Sequence, residues 1–280
     1  MGRAMFFDIM PYVGRPERAD VILAILEKAE RQRYNEFAEI IFRRGDYLKI
    51  VDLSHVIEHK GIAHPRHPKP MIWTWFTHEE TRKELNTGPD GHSSTVKVIQ
   101  MTDHTGTHVD APLHFDPSPD AQSIDQMPLE DFFGPAVCLD LSDMPAKGYI
   151  DVQHLQNACQ KAGINIEPGL IVLIHTGHAG RTLGSPEFFT DFPGLTEEAI
   201  RWLGEQGVKN FGVESINPGH PEDKKFLVHV MCRKMGMIHM ENLANLDKLV
   251  GKGKFTFIAL PLKIKGGSGS PIRAVALLDE

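Results

Sequence analysis

The stretch HTGTHVDAPLHF, His104 to Phe115, marks the point where the character of this 280-residue chain changes. Before it, residues 58–94 carry Pro65, Pro68, Pro70 and Pro89 and five histidines at 59, 64, 67, 78 and 92, without sustained periodicity. That segment reads as a long functional loop or lid. VKVIQM (96–101) leads into the motif as a strand, and beyond it short apolar runs alternate with capped amphipathic stretches. AVCLDLS (136–142), LIVLIHTG (170–177), NFGVES (210–215) and MIHMEN (237–242) read as strands. Between them, Asp151 caps a helix that carries Val152, Leu155 and Cys159 on one face and stops at Gly163. Thr196 caps the helix of Ile200 and Leu203, with Glu197 and Glu198 where the helix dipole favours acids. Pro221, Glu222 and Asp223 are expected to open a third helix, running through Met235 to Gly236. FTFIALPL (255–262) and RAVALL (273–278) close the chain as two strands around the turn GGSGS. Alternation of this kind specifies an α/β domain with a mixed sheet.

Upstream, residues 17–43 place Val21, Ile22, Ile25, Leu26 and Ala29 at helical spacing. IVDLSH then begins the strand-rich part, so residues 1–47 read as an N-terminal helical extension and 48–280 as the main domain. The extension covers either the core or a partner subunit. Within the 58–94 segment, Trp73, Trp75 and Phe76 of MIWTWF have two readings: an aromatic strand or subunit contact, or a wall for a flat substrate.

The motif itself carries chemistry. His104, His108 and Asp110 fall on alternate positions, yet a straight strand would hold the two histidines about 13 Å apart, too far to share one ion. The chain should therefore turn between them, at Gly106. Two imidazoles and a carboxylate suit zinc, manganese or iron with a coordination position left for water. His114, four residues beyond Asp110, is placed to shuttle a proton to or from a metal-activated water. The competing reading is a solvated, hydrogen-bonded loop in a chain with 15 histidines. Downstream, His229 lies in a helix and Glu241 at a strand end, and a helix returning into a strand can bring both to one edge. His229 alone also reads as a core histidine, and His239, two residues before Glu241, is a rival ligand.

Bulk properties exclude several classes. Hydrophobic residues make up 41% and charged residues 24%, which is ordinary for a globular chain. The net charge of -7 and the lack of a Lys/Arg stripe argue against nucleic acid, leaving a small molecule as the expected substrate or partner. No run approaches the ~20 apolar residues of a membrane span. Cys138, Cys159 and Cys232 are few, scattered and without CxxC spacing, so neither a disulfide framework nor a thiolate site is expected, and a cytoplasmic location is. No G-x-S-x-G elbow occurs, and GGSGS lacks the lysine of a phosphate-binding loop.

HTGTHVDAPLH resembles the HxGTHxDxPxH signature of the cyclase family of metal-dependent hydrolases, which includes bacterial kynurenine formamidase and isatin hydrolase. IVDLSH, LIVLIHTG, FGVES and ALPLKIKGGSGSPIRAVALL are family-like in the same order, so the resemblance covers residues 48–278. It implies a swivelling-type α/β domain with helices flanking a mixed sheet, assembled as a homodimer or homotetramer. It also implies His104, His108 and Asp110 as metal ligands, with His229 and Glu241 completing a two-metal site bridged by Asp110. Some relatives use one manganese, which leaves open zinc or manganese and one ion or two. His114 matches the acid–base histidine. The implied reaction is hydrolysis of an aryl formamide or cyclic amide; a lactone or ester hydrolase, a cyclase, and a non-catalytic metal-binding or scaffold protein are the alternatives. Two departures stand out. The entry through residues 17–43 and 58–94 exceeds that of the formamidase-like members, and Glu214 stands where relatives often have Asp.

Overall fold

The computed structural model describes residues 48–279; the helical extension read over 1–47 lies outside the described residues. In chain order the first elements are β1 (Leu48–Asp52), β2 (Met71–Phe76), α1 (His78–Leu85), β3 (Val96–Gln100), β4 (His108–Asp110) and the short α2 (Pro112–Phe115). Then come β5 (Phe133–Asp140), β6 (Tyr149–Ile150), α3 (Val152–Ala162), β7 (Ile171–His175), α4 (His178–Thr182), β8 (Gly194–Leu195), α5 (Glu197–Glu205) and β9 (Asn210–Val213). The chain ends with α6 (Leu227–Met235), β10 (Ile238–Glu241), β11 (Phe255–Ile258), β12 (Gly269–Pro271) and β13 (Val275–Asp279).

Nine strands form one mixed sheet in the order β1-β13-β11-β5-β7-β9-β10-β4-β12. Its centre, β5-β7-β9-β10, is parallel, because α3, α5 and α6 each supply the crossover between consecutive parallel strands. The flanks β11 and β13 on one side, β4 and β12 on the other, are antiparallel. A parallel strand covered on both faces must be apolar throughout, and all five residues of β7 are buried. Ile171 and Leu173 pack into one core with Val109, Phe132, Met240 and Phe257. Val172 and Ile174 face the opposite core, filled by Leu155 of α3, Ile200 and Leu203 of α5, and Met231 and Cys232 of α6.

The helix caps expected at Asp151 and Thr196 are present, each side chain accepting a backbone N–H three residues on, and Gly163 and Gly236 end their helices with φ near +64°. Three expectations are corrected. Residues 58–94 are not one continuous loop: β2 pairs with β3, and Thr77 and Glu80 form a capping box that starts α1. The third helix begins at Leu227, not Pro221, because the Asp223 carboxylate binds the backbone N–H groups of Lys225 and Leu227 and holds residues 221–226 in a turn. GGSGS is no tight hairpin: the connection from β11 to β13 crosses to the far edge of the sheet, where it forms β12 against β4.

Candidate metal centre

Antiparallel register assembles the centre. In the β4–β10 pair, Asp110 stands opposite His239 and His108 opposite Glu241. Because side chains alternate across a strand, these four project from one face while Val109 and Met240 enter the core on the other. The turn expected at Gly106 is present, with φ +67°, and it brings the His104 ring to 5.1 Å from that of His108. Overhead, α6 places His229 next to the His239 ring, at 4.8 Å, and α2 places His114 beside His104, at 4.1 Å. His104, His108, Asp110, His114, His229 and Glu241 therefore converge.

Two carboxylates organise the cluster by dividing their oxygens. Asp110 Oδ1 lies 2.7 Å from His104 Nδ1 and 3.3 Å from His108 Nε2, while its Oδ2 lies 3.2 Å from His239 Nε2, 3.7 Å from His114 Nε2 and 4.0 Å from His229 Nε2. Glu241 Oε2 lies 3.5 Å from His108 Nε2, and its Oε1 lies 3.4 Å from His239 Nε2 and 4.0 Å from His229 Nε2. The donor atoms thus form two adjoining groups that share Asp110.

The imidazole tautomers suit a cation. His108 Nδ1 donates to the Gly106 carbonyl at 2.9 Å, leaving the Nε2 lone pair aimed at the carboxylates. Ser268 Oγ donates to Asp103 Oδ2 at 2.8 Å and so accepts from His104 Nε2 at 2.9 Å, leaving Nδ1 facing Asp110. Fixing one ring nitrogen to present the other is how proteins orient metal-binding histidines. Burial drives the His229 pKa down to about 3, with His239 adding to the effect, so this imidazole is neutral and offers a lone pair. Burial opposes charge on Asp110, but the polar surroundings that His104, His108 and His239 supply outweigh it and hold the carboxylate well below its usual range. Burial raises Glu241, and the Asp110 charge pushes the same way. Clustered anionic oxygen facing lone-pair nitrogen is a donor set for a divalent metal, and a bound cation would relieve the repulsion between the two acids.

The last turn of chain buttresses this arrangement. A Cβ built on Gly269 would lie 2.7 Å from both His104 Cε1 and the Val109 carbonyl oxygen. Gly269→Ala should therefore force β12 off β4 and displace His104. The expected cost is about 1–3 kcal/mol of stability together with weaker metal binding, checked by thermal unfolding and metal titration.

Behind the centre, at the carboxyl ends of β7 and β9, Glu214 Oε1 pairs with His175 Nδ1 at 3.1 Å, and Glu214 Oε2 accepts from Thr176 N and Oγ1. These bonds give Glu214 a structural account: it ties β7 to β9. Burial opposes both charges, yet the pairing wins, lowering the Glu214 pKa below 4.5 and raising that of His175 above 6.5. The Glu214 contribution is complete above pH 4.5 and fades as pH falls through its depressed folded value. The His175 contribution is complete below pH 6.5 and fades as pH rises through its elevated folded value. Glu214→Gln should accordingly lose about 1–3 kcal/mol, with the largest deficit in denaturant unfolding between pH 4.5 and 6.5 and smaller deficits on either side.

A cleft of about 350 Å³ opens onto the centre. From the 58–94 segment it takes His64, Arg66 and His67, and from elsewhere in the chain Phe115, Asn217 and Phe226. Trp73, Trp75 and Phe76 are not among its lining residues. They lie on β2, where Trp73 and Trp75 share a face and are 42% and 68% exposed. Sequence reading singled out this segment for its aromatic part, whereas the residues it contributes to the cleft are His64, Arg66 and His67. The cationic His-Pro-Arg-His-Pro run at 64–68 was the available signal. Asp103 and Ser268, which orient His104, carried no sequence signal of their own.

The Cyclase family model matches residues 51–220 of this chain. The chain belongs to the cyclase family. Among cyclase-family relatives, kynurenine formamidase of Bacillus mycoides (strain KBAB4) is 30% identical over 209 residues, covering 73% of this chain and 90% of the relative. Kynurenine formamidase of Bacillus cereus (strain ATCC 14579) is 29% identical over 219 residues, 76% of this chain and 94% of the relative. Isatin hydrolase A from Labrenzia aggregata, solved with benzyl benzoate bound, superposes with TM-score 0.71 at 26% identity, over 90% of this chain and 100% of that one. Isatin hydrolase A from Ralstonia solanacearum gives TM-score 0.71 at 27% identity, over 92% and 97%. The mixed sheet with flanking helices is thus the cyclase-family fold, and the chain is a metal-dependent hydrolase acting on carbon–nitrogen bonds other than peptide bonds.

Proposed function

We propose that this hydrolase opens the amide of an aryl formamide or a cyclic amide, with His104, His108, Asp110, His229 and Glu241 holding zinc or manganese and His114 moving the proton. The observation that carries the reading is Asp110 set between two groups of imidazoles, with His114 Nε2 3.7 Å from its Oδ2 at the floor of the cleft. The names of the relatives, kynurenine formamidase and isatin hydrolase, support the substrate class. A divalent cation there supplies Lewis acidity and lowers the pKa of water toward neutrality. His114 takes the proton from the attacking water as the carbonyl carbon gains its new oxygen. It then delivers that proton to the departing nitrogen as the C–N bond breaks, so the products are an amine and a carboxylic acid, which gives up its proton to water at neutral pH. Phe115 and Phe226 offer apolar faces for an aryl ring, and Arg66 offers a fixed positive charge at the rim.

Arg66 assigns a preference: a substrate bearing a carboxylate next to its amide. Arg66→Ala should raise KM for such a substrate about 10- to 100-fold with little change in kcat, the worth of a charged hydrogen bond. Kinetics with a paired substrate lacking the carboxylate should show no such change. The reading as a whole is tested by elemental analysis, then metal stripping and re-addition, with turnover measured on formylkynurenine, isatin and simple lactones. Metal-restored cleavage of an amide supports it. Turnover of lactones alone moves the assignment to ester chemistry, and no metal-restored turnover at all points to a binding protein.

Among the described residues no helix is long and apolar enough to cross a membrane. The three cysteines are free and buried, which suits the reducing cytoplasm. The exposed Trp73, Trp75 and Ile99 of the β2–β3 pair support a homodimer or homotetramer, with light scattering as the measurement.

A further inference from the structure

His239 is the one member of the imidazole cluster that does not line the cleft. It is wholly buried, its ring stacked 5.7 Å from Phe115 on one side and 5.7 Å from Phe211 on the other. A histidine enclosed this completely normally satisfies its ring nitrogens by hydrogen bonding. Neither nitrogen of His239 makes a well-directed hydrogen bond. Its Nε2 nevertheless sits 3.2 Å from Asp110 Oδ2 and 3.4 Å from Glu241 Oε1, the two oxygens that also face His229. The donor atoms of Asp110, His229, His239 and Glu241 all lie within 4.8 Å of one another.

Strand register explains why the ring is aimed there. His239 is paired across the ladder with Asp110, and the β10 alternation puts Glu241 on the same face. The two flanking phenyl rings then fix its plane. A side chain ordered this tightly, with neither ring nitrogen in a well-directed hydrogen bond, costs free energy unless something else satisfies it.

We infer that His239 is a direct ligand for a second divalent ion, completing a closed set of two imidazoles and two carboxylates with Asp110, His229 and Glu241. This rests on the metal-dependent reading above and goes beyond it by making the two ions unequal. The first ion has His104, His108 and Asp110, three protein donors, and keeps room for water on the cleft side. The second has four donors from three elements and is the firmly held one. Sites with three protein ligands and an open position are the reactive kind, and fully ligated sites are the structural kind.

The test is zinc titration of the full-length, chelator-stripped protein, with bound metal per chain measured by mass spectrometry, and the same titration followed with cobalt by its visible absorption. Wild type should bind two equivalents, the tighter surviving dialysis against a chelator that removes the weaker. His239→Phe fills the slot between the two phenyl rings without a donor. It should lose the tighter step by at least about 100-fold in affinity, more than removing an outer partner of a ligand costs, and lose part of the cobalt absorption. His239→Asn, smaller than histidine, makes the same comparison if the phenylalanine variant does not fold. Variants that titrate like wild type overturn the inference and leave the hydrolase reading intact. A wild type that binds a single ion also overturns it without touching that reading, whereas a wild type that binds none overturns both.

Discussion

Replacing Asp110 with asparagine is expected to leave a folded protein without measurable turnover, at least about 10⁴-fold below wild type. The substitution preserves shape but removes the charge on which both halves of the cluster depend, since Oδ1 faces His104 and His108 while Oδ2 faces His114, His229 and His239. An amide supplies neither the negative charge nor the second anionic oxygen that a divalent cation held here would draw on. Hydrolysis then falls back on unassisted water, whose pKa of about 15.7 makes it a poor nucleophile at neutral pH. Loss of turnover should be matched by loss of metal in elemental analysis, with circular dichroism unchanged. Full metal content in Asp110→Asn would show that the carboxylate does not hold the ions.

The second large effect is at His114. His114→Ala should lower kcat by about 10²- to 10⁴-fold, the usual contribution of a positioned acid–base group, while metal content stays at the wild-type level. Its pH dependence follows from its surroundings. Burial pushes the His114 pKa below 6.5, the nearby Asp110 charge pulls it up, and the imidazoles of His104, His239 and His108 push it down again. A base must be neutral to accept a proton, so kcat/KM should rise with pH through a value below 6.5 and be level by neutrality. A bound cation acts in the same direction. In His114→Ala that acid limb should disappear. A limb that persisted unchanged would assign the titration to another group.

What the sequence disclosed, and what it hid, has physical causes. The turn at Gly106 was legible because ligand spacing in an extended chain is incompatible with one ion, so geometry demanded a bend where only glycine bends freely. The strands β5, β7 and β9 were legible because burial on both faces leaves an apolar run. Helix α1 was hidden because it buries only Thr81, so its sequence HEETRKEL has no apolar stripe to detect. The start of α6 was misread because Pro221 suits a first helical turn, whereas the side-chain bonds of Asp223 hold that stretch in another shape. His239 was legible as a rival donor on the Glu241 face. Its stacking between Phe115 and Phe211 was not, because that depends on which strands lie side by side. The cleft cation Arg66 lay in the segment expected to decide the substrate, but periodicity cannot tell which part of a segment folds inward.

The route of the last connection sets the order in which this enzyme becomes competent. Ser268 and His104, which hold each other in place, are separated by 164 positions, and β12 cannot join β4 until Gly269–Pro271 has left the ribosome. Closing so long a loop is slow compared with forming helices or hairpins. The emerging polypeptide therefore carries HTGTHVDAPLH, while residues 116–267 are made, with one histidine unclamped and the sheet edge beside it bare. Competence arrives only once residues 268–271 are in place, and a nascent chain released before them would present loose donors to passing metal without the architecture to use it.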